Sequence, residues 1–399
     1  MIPLANYDLE ALALHELRPG KLSVRSTVPL KTAHDLSIAY TPGVASPCLK
    51  ISADPMAAYQ YTSKGHMVAI VTDGSAVLGL GNIGALASIP VMEGKAALLK
   101  QFSGLDAFPI CLDTHDSQAI IETTIQIAPM FGAIMLEDIA APQCVFIERE
   151  LKKRLSIPVF HDDQHGTAVV VAAAVTNAFR LLKKELSTLR VVISGTGAAG
   201  SAICRMLRNL GIRTINAYNK QGIVTYNKYD SYDFLIRELL DQAIINSYDA
   251  IGEDTLSALI KGADLFIGVS APGLVNEAMV KSMSKNPVIF AMANPLPEIM
   301  PEIAKHAGAK IIGTGRSDYP NQINNVLIFP GLFKGALQAR AQNISEAMKV
   351  VAAQALAGLV KDNELSCDYI LPNPLDRRVV NAVAKAVNKQ ALKEKEIRV

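Results

Sequence analysis

An α/β fold is predicted for this 399-residue chain, and three observations carry the prediction. Apolar runs of strand length alternate with helical runs between His66 and Gly315, the rhythm of βαβ units around a parallel sheet. A glycine fingerprint, Gly195-x-Gly197-x-x-Gly200, joins one of these strands to a helix. Beyond Pro330-Gly331 the chain reads as helical. The expected organisation is an N-terminal α/β domain, residues 1–157, followed by a Rossmann-type dinucleotide-binding domain with a helical C-terminal region, residues 158–399.

Half of the residues are hydrophobic, enough for a large core shared between two or three domains. Lys and Arg number 39 against 37 Asp and Glu, a formal net charge of +2. That balance gives no electrostatic ground for a nucleic-acid partner or an anionic membrane. The five Cys (48, 111, 144, 204 and 367) are scattered and form no CxxC pair, which fits reduced thiols in a cytoplasmic protein. No signal-peptide pattern opens the chain, and no apolar run is expected to reach the ~20 residues of a membrane span.

The first element is a helix over Asp8–Leu17, stopped by Pro19-Gly20. Tyr40-Thr-Pro-Gly-Val-Ala-Ser-Pro47 follows, a rigid turn that either aims the Tyr40 hydroxyl or simply packs it. His66–Thr72 is a strand, and Asp73–Gly84 is a loop with glycines at 74, 79, 81 and 84. A GxGxxG pattern can be read there, but no helix start follows at once, so the loop is assigned to the substrate side. A helix from Val91 to Phe102 carries Lys95, which is either partly buried or an ordinary solvated lysine.

Next come strand 107–113, helix 117–127 and strand 132–136, which ends in Glu137-Asp138. A helix running to about Leu155 leads into the short strand 157–160 and the run His161-Asp-Asp-Gln-His-Gly-Thr167, after which a helix is expected from Ala168 to Lys184. Each acidic pair has a plain reading, as a complement to a following helix dipole. Together they are more than that. Strand ends in an open parallel sheet share one edge, so Glu137, Asp138, Asp162 and Asp163 would converge. An all-oxygen set of that kind suits Mg²⁺ or Mn²⁺ and suits Zn²⁺ poorly. His161 and His165 read as supporting residues.

In the second half, strand 190–194 enters the fingerprint and a helix from Ser201 to Leu210 leaves it. Gly195 makes the turn, Gly197 admits a pyrophosphate and Gly200 lets helix and strand pack closely. The next strand, 213–218, ends in Asn219-Lys220 rather than an acidic residue. Asn219 can still bond a ribose hydroxyl and Lys220 can face a 2′-phosphate, so NAD and NADP both remain, with NAD preferred because a single Lys is a thin phosphate site. Strands 264–270, 287–294 and 310–315 follow, with polar turns at Ser270–Gly273 and Asn294–Pro297. Asn324 and Asn325 lie in a loop and are turn formers by default.

In order along the chain, Tyr40-Thr-Pro-Gly-Val, Thr72-Asp-Gly…Leu-Gly-Leu-Gly, Glu-Gly-Lys95, Leu-Glu137-Asp138, Phe-His-Asp162-Asp163-Gln-His-Gly-Thr-Ala, the Gly195 fingerprint, Ala-Asn294-Pro and Asn324-Asn325…Phe-Pro-Gly resemble the malic enzymes. The length is similar to that of the compact bacterial type. The resemblance implies oxidation of malate with NAD(P), then decarboxylation to pyruvate with Mg²⁺ or Mn²⁺. It implies Glu137, Asp138 and Asp163 as metal ligands, Lys95 as base, Tyr40 as acid and Asp162 beside Lys95. Asn294 and Asn325 would face the substrate with Asn324 nearby, and a homodimer would be the smallest assembly.

The larger enzymes of the family carry an Arg after Asp-Gly that grips a substrate carboxylate. This sequence has Ala76 at the matching place, which turns the expectation to Ser75 and the N–H groups of the glycine-rich loop. Two alternatives accompany the reading. One is a malolactic enzyme, which converts malate to lactate with bound NAD and Mn²⁺; the other is a non-catalytic, NAD-responsive binding protein. Intact Lys95, Tyr40 and carboxylates speak against the second.

Overall fold

The computed structural model describes residues 7–77, 79–248, 253–395 and 397. Two sheets organise them. The first has the order β2-β1-β3-β4, from β1 (Met67–Thr72), β2 (Asp106–Cys111), β3 (Ala133–Leu136) and β4 (Val159–His161), all parallel. These strands are rich in Val, Ile, Ala and Met, and central β1 and β3 and edge strand β4 are almost wholly buried, as expected of a sheet covered on both faces.

The second sheet has the order β10-β9-β8-β5-β6-β7. Its strands are β5 (Arg190–Ser194), β6 (Thr214–Asn219), β7 (Gly222–Ile223), β8 (Leu265–Gly268), β9 (Val288–Ala291) and β10 (Ile311–Thr314). Counted from β5, this is the 3-2-1-4-5-6 order of dinucleotide-binding folds. The difference lies in β7, a two-residue antiparallel hairpin arm on β6, which is too short to show in the sequence pattern. The predicted α/β class, with a Rossmann-type second half and helices Phe329–Gln338, Glu346–Ala357 and Arg378–Glu394 at the C-terminal end, is the observed one.

The helix Asp162–Leu182 joins the two sheets. It opens at Asp162 rather than at Ala168, because His161 caps it by accepting the Gln164 N–H. The acidic pair therefore occupies its first turn. Val169 to Val175 are fully buried, in one cluster with Val68 and Ile70 of β1 and Val191 and Ile193 of β5. Contrary to the sequence expectation, this helix is long and apolar enough to cross a membrane by length and composition. Its apolar faces are instead filled by protein on both sides, which makes it a core helix.

The helix bearing Lys95 also begins earlier than expected, at Gly84, and runs to Ser103 with Pro90 inside it. Proline there removes one N–H, whose acceptor would be the carbonyl of Leu86. Leu86 is exposed, so water can serve that carbonyl. N-terminal helices Tyr7–Leu17, Ala33–Ala39 and Ala45–Ala53 bury no residue at all.

Candidate active site

Register sets the site. Val71 of β1 stands beside Leu136 of β3, and Leu136 beside His161 of β4. The residues that follow each strand therefore emerge side by side. Glu137 and Asp138 are buried, Asp162 is fully buried and Asp163 is half-buried. Asp138 adopts a left-handed backbone, φ 53°, which Asp tolerates better than most residues. Its N–H donates to Asp163 Oδ2 at 2.9 Å.

Glu137, Asp138 and Asp163 each bring an oxygen within 4.8 Å of the others. Oxygens on opposite sides of a Mg²⁺ stand about 4.2 Å apart, so the spacing suits one hard divalent cation. Glu137 Oε2 is buried without a hydrogen-bond partner, as is Asp162 Oδ1. A buried carboxylate oxygen left unsatisfied costs free energy unless a cation or proton serves it. These residues fit Mg²⁺ or Mn²⁺.

Lys95 reaches the same cluster from its helix. Its Nζ donates to Asp162 Oδ2 at 2.6 Å and lies 2.8 Å from Glu137 Oε1, with the Phe329 ring centroid at 4.8 Å. Burial lowers the affinity of Lys95 for its proton, but Asp162, Glu137 and Asp163 outweigh it and hold the ammonium above the usual lysine range. Burial pushes Glu137 well above the usual carboxyl range, with Asp163, Asp162 and Asp138 adding to it against Lys95. Asp162 is raised chiefly by burial, again opposed by Lys95. The directions agree on one point. Four carboxylates facing one ammonium are short of positive charge.

Beneath the cluster, Glu148 is a buried brace. Its Oε1 accepts the His161 N–H at 3.2 Å and pairs with Lys152, while Oε2 accepts His165 Nε2 at 2.8 Å and Gln164 Nε2 at 3.4 Å. Burial would raise its carboxyl, but His165 and Lys152 hold it well below the usual range. Burial brings His165 down to about 4, so its ring is neutral, donating from Nε2 and accepting Lys349 Nζ at Nδ1, 3.0 Å away. Glu148 and Phe329 were not legible as site residues. Glu148 with Lys152 reads as an ordinary i,i+4 surface pair, whereas Phe329 at least adjoins the Asn324-Asn325 motif.

The remaining candidates divide. Asn325 is brought to the cluster: a Cβ on Gly166 would lie 3.1 Å from Asn325 Cβ and 2.0 Å from Asp162 Oδ1. Asn324 uses its side chain as a cap, accepting the Val326 N–H at 2.9 Å. Asn294 lies in the turn after β9 beside the glycine-rich loop, where a Cβ on Gly79 would stand 3.0 Å from its carbonyl oxygen; its Nδ2 donates to the Met292 carbonyl.

Ser75 is used within its loop, donating to Asp73 Oδ1 at 2.6 Å and accepting the Ala140 N–H at 2.8 Å. The N–H groups of Gly74, Ser75 and Ala76 are taken by Thr72, Asp73 and Asp138. Ser75 and these three N–H groups are thus already paired within the chain. Tyr40 is 67% exposed on the N-terminal arm.

At the second sheet, the fingerprint glycines have distinct geometries. Gly195 has φ 102°, Gly197 has open space at its Cβ position, and a Cβ on Gly200 would strike Gly195 O at 1.9 Å. The following helix begins at Ala198, earlier than the expected Ser201, and Gly197 caps it without a side chain. A helix start without a side-chain cap is the arrangement that suits an anion. Asn219 donates to Thr196 Oγ1 at 3.2 Å and accepts the Gln221 N–H at 2.8 Å, tying the end of β6 to the fingerprint turn.

Comparison with known proteins follows the same two halves. The family description "Malic enzyme, N-terminal domain" matches residues 19–152, and "Malic enzyme, NAD binding domain" matches residues 164–392. A bifunctional malic/malolactic enzyme of Bacillus subtilis is 53% identical over 383 residues, covering 96% of this chain and 92% of the relative. An NADP-dependent malic enzyme of Salmonella typhimurium is 46% identical over 96% of this chain, which spans about half of that relative's length (52%). The crystal structure of an NAD-dependent malic enzyme from Thermotoga maritima superposes with a TM-score of 0.90 at 44% identity, covering 95% of this chain and 98% of that one.

Proposed function

The chain belongs to the malic enzyme family, and from that premise we propose that it oxidises malate with a nicotinamide dinucleotide and decarboxylates the product to pyruvate and CO₂. One observation carries the reading: the Lys95 ammonium touches Asp162 and Glu137 at the edge of a carboxylate triad built for one divalent cation. Glu137, Asp138 and Asp163 would hold Mg²⁺ or Mn²⁺. The chemistry such an ion supplies is Lewis-acid polarisation of a hydroxyl or carbonyl oxygen. The nicotinamide supplies a hydride acceptor.

The protein's own part is proton handling and alignment. Lys95 is the group within reach of a C2 hydroxyl seated at the triad. The carboxylate charge that now keeps its proton would be offset by a divalent cation held by Glu137, Asp138 and Asp163, and Lys95, once neutral, takes the hydroxyl proton as the C2 hydrogen departs. Asp162 fixes its direction. The Phe329 ring closes one side of the ammonium and keeps water from it. Breaking the C3–C4 bond releases CO₂ and leaves electron density on C3, which Tyr40 protonates as general acid. Groups of this kind contribute ~10²–10⁴-fold each when well placed.

NAD is the cofactor we favour. The end of β6 offers uncharged Asn219, already engaged with Thr196, and exposed Lys220 as the cation for a 2′-phosphate. A lone Lys lacks the bidentate fork of Arg. Five unpaired cysteines support a cytoplasmic setting, and the apolar residues of the N-terminal arm support a homodimer. A second reading, conversion of malate to lactate in the same pocket, is favoured by the bifunctional Bacillus subtilis relative.

Malate, Mn²⁺ and either NAD or NADP, followed at the absorbance of reduced nicotinamide with pyruvate and lactate assayed, tests the reaction and the cofactor. NADH release with stoichiometric pyruvate is expected. Lactate without net NADH would replace the first reading by the second, and no turnover would overturn both.

A further inference from the structure

One buried carboxylate outside the mechanism spans the turns that leave β8 and β9. Glu298 is fully buried. Its Oε1 accepts the Ser270 N–H at 2.8 Å and faces the Ser270 hydroxyl at 3.4 Å, while Oε2 accepts the Ala293 N–H at 3.1 Å. It occupies space that Gly268 leaves open, for a Cβ on Gly268 would lie 2.3 Å from Glu298 Cδ. The Ser270 hydroxyl also meets the Ser194 hydroxyl at 2.8 Å. A chain of polar contacts, Ser194 to Ser270 to Glu298 to Ala293, thus crosses the C-terminal ends of β5, β8 and β9.

That edge is where an open parallel sheet binds its ligand. The fingerprint after β5 takes the pyrophosphate, and the end of β6 faces the adenosine ribose, so the β8–β9 side is left for the nicotinamide half. Two N–H groups from separate turns converge on an acceptor-only side chain there. A neutral amide in its place would set an NH₂ against one of them. Burial raises the Glu298 carboxyl above its usual range, opposed by the Ser270 and Ala293 N–H groups. A buried carboxyl bonded to the N–H groups of both turns fixes their relative position, and one of the turns carries Asn294.

Resting on the dinucleotide site proposed above, we infer that Glu298 is a positioning residue: it locks the Ser270 and Asn294 turns into the wall that seats the nicotinamide riboside. It touches neither cofactor nor substrate itself. The test uses the full-length Glu298→Gln variant with two ligands, NADH and ADP-ribose, which lacks the nicotinamide. ADP-ribose affinity is expected to stay within about two-fold of the wild type, while the fluorescence enhancement of bound NADH is largely lost and kcat with malate falls by about 10-fold, the size of one lost charge-assisted hydrogen bond.

Parallel weakening of both ligands would make Glu298 a general staple and overturn the inference. Unchanged NADH emission and turnover would overturn it too. Should the variant not fold, hydrogen exchange on the wild type decides. NADH is expected to protect residues 269–273 and 292–298 beyond what ADP-ribose does, and equal protection overturns the inference. A wild type that binds NADH with this signature yet leaves malate untouched would defeat the functional reading alone.

Discussion

The carboxylate of Asp162 lies where a side chain on Gly166 would be: a Cβ at Gly166 would stand 2.0 Å from Asp162 Oδ1. The glycine in His-Asp-Asp-Gln-His-Gly is therefore a spacing device, four residues along the helix from the group it makes room for. Gly166→Ala should push Asp162 off Lys95 and shift Asn325. We expect turnover to fall at least 10-fold and stability by about 1–3 kcal/mol, the usual cost of overpacking, with ADP-ribose affinity unchanged. Steady-state rates and calorimetry check this; wild-type turnover would mean that the contact between Asp162 and Lys95 is dispensable.

Charge imbalance at the triad makes a prediction that needs no turnover. A cation that binds the folded chain raises its stability by about 2.7 kcal/mol at 100 times its dissociation constant. Mn²⁺ should raise the melting temperature, and EDTA should reverse the rise. Asp163→Asn removes one ligand and one charge, so most of the Mn²⁺-dependent shift should vanish. A shift of wild-type size in that variant would exclude Asp163 from the ligand set.

Asp264 ties the base of the second sheet together. It accepts the Arg190 N–H at 2.8 Å and the Ser284 hydroxyl at 2.6 Å and pairs with Lys184. Burial would raise its carboxyl, but the Arg190 N–H, Lys184 and Ser284 prevail and hold it below the usual aspartate range. A depressed folded-state value gives stability that is present above the unfolded value, ~3.9, and lost as pH falls through the folded one. Asp264→Asn should cost about 1–3 kcal/mol at pH 7 and progressively less below about pH 4. Urea denaturation at both pH values measures it, and a pH-independent cost would contradict the assignment.

These cases show where sequence reasoning reaches. Strand ends were legible because Val-, Ile- and Ala-rich runs break abruptly into Glu137-Asp138 and Asp162-Asp163, and a parallel sheet forces such ends together. Gly195, Gly197 and Gly200 were legible because each glycine answers a local backbone demand. Glu148 and Glu298 were not, since a buried acid with tertiary partners is spelled like a surface one. The starts of the helices at Gly84 and Asp162 were missed for a related reason. Pro90 reads as a break, and a histidine cap at His161 is decided by its neighbours in space.

Tyr40 poses the sharpest demand on the assembly. Its hydroxyl forms no hydrogen bond among the described residues, and it rides on an arm where Leu9, Leu12, Leu14, Leu17, Leu36 and Ile38 are all exposed. Such a stretch of apolar side chains favours burial against another surface, and a homodimer supplies one. If dimerisation carries Tyr40 into the partner's Lys95 pocket, each site draws its acid and its base from different copies. Tyr40→Phe and Lys95→Ala should each lose about 10²-fold or more in turnover while binding dinucleotide normally. Co-expressed as a mixed dimer, they should regain activity, because one of the two sites then holds both native residues. Recovery of about half the wild-type rate per purified mixed dimer is the expected outcome, and its absence would place acid and base in one chain.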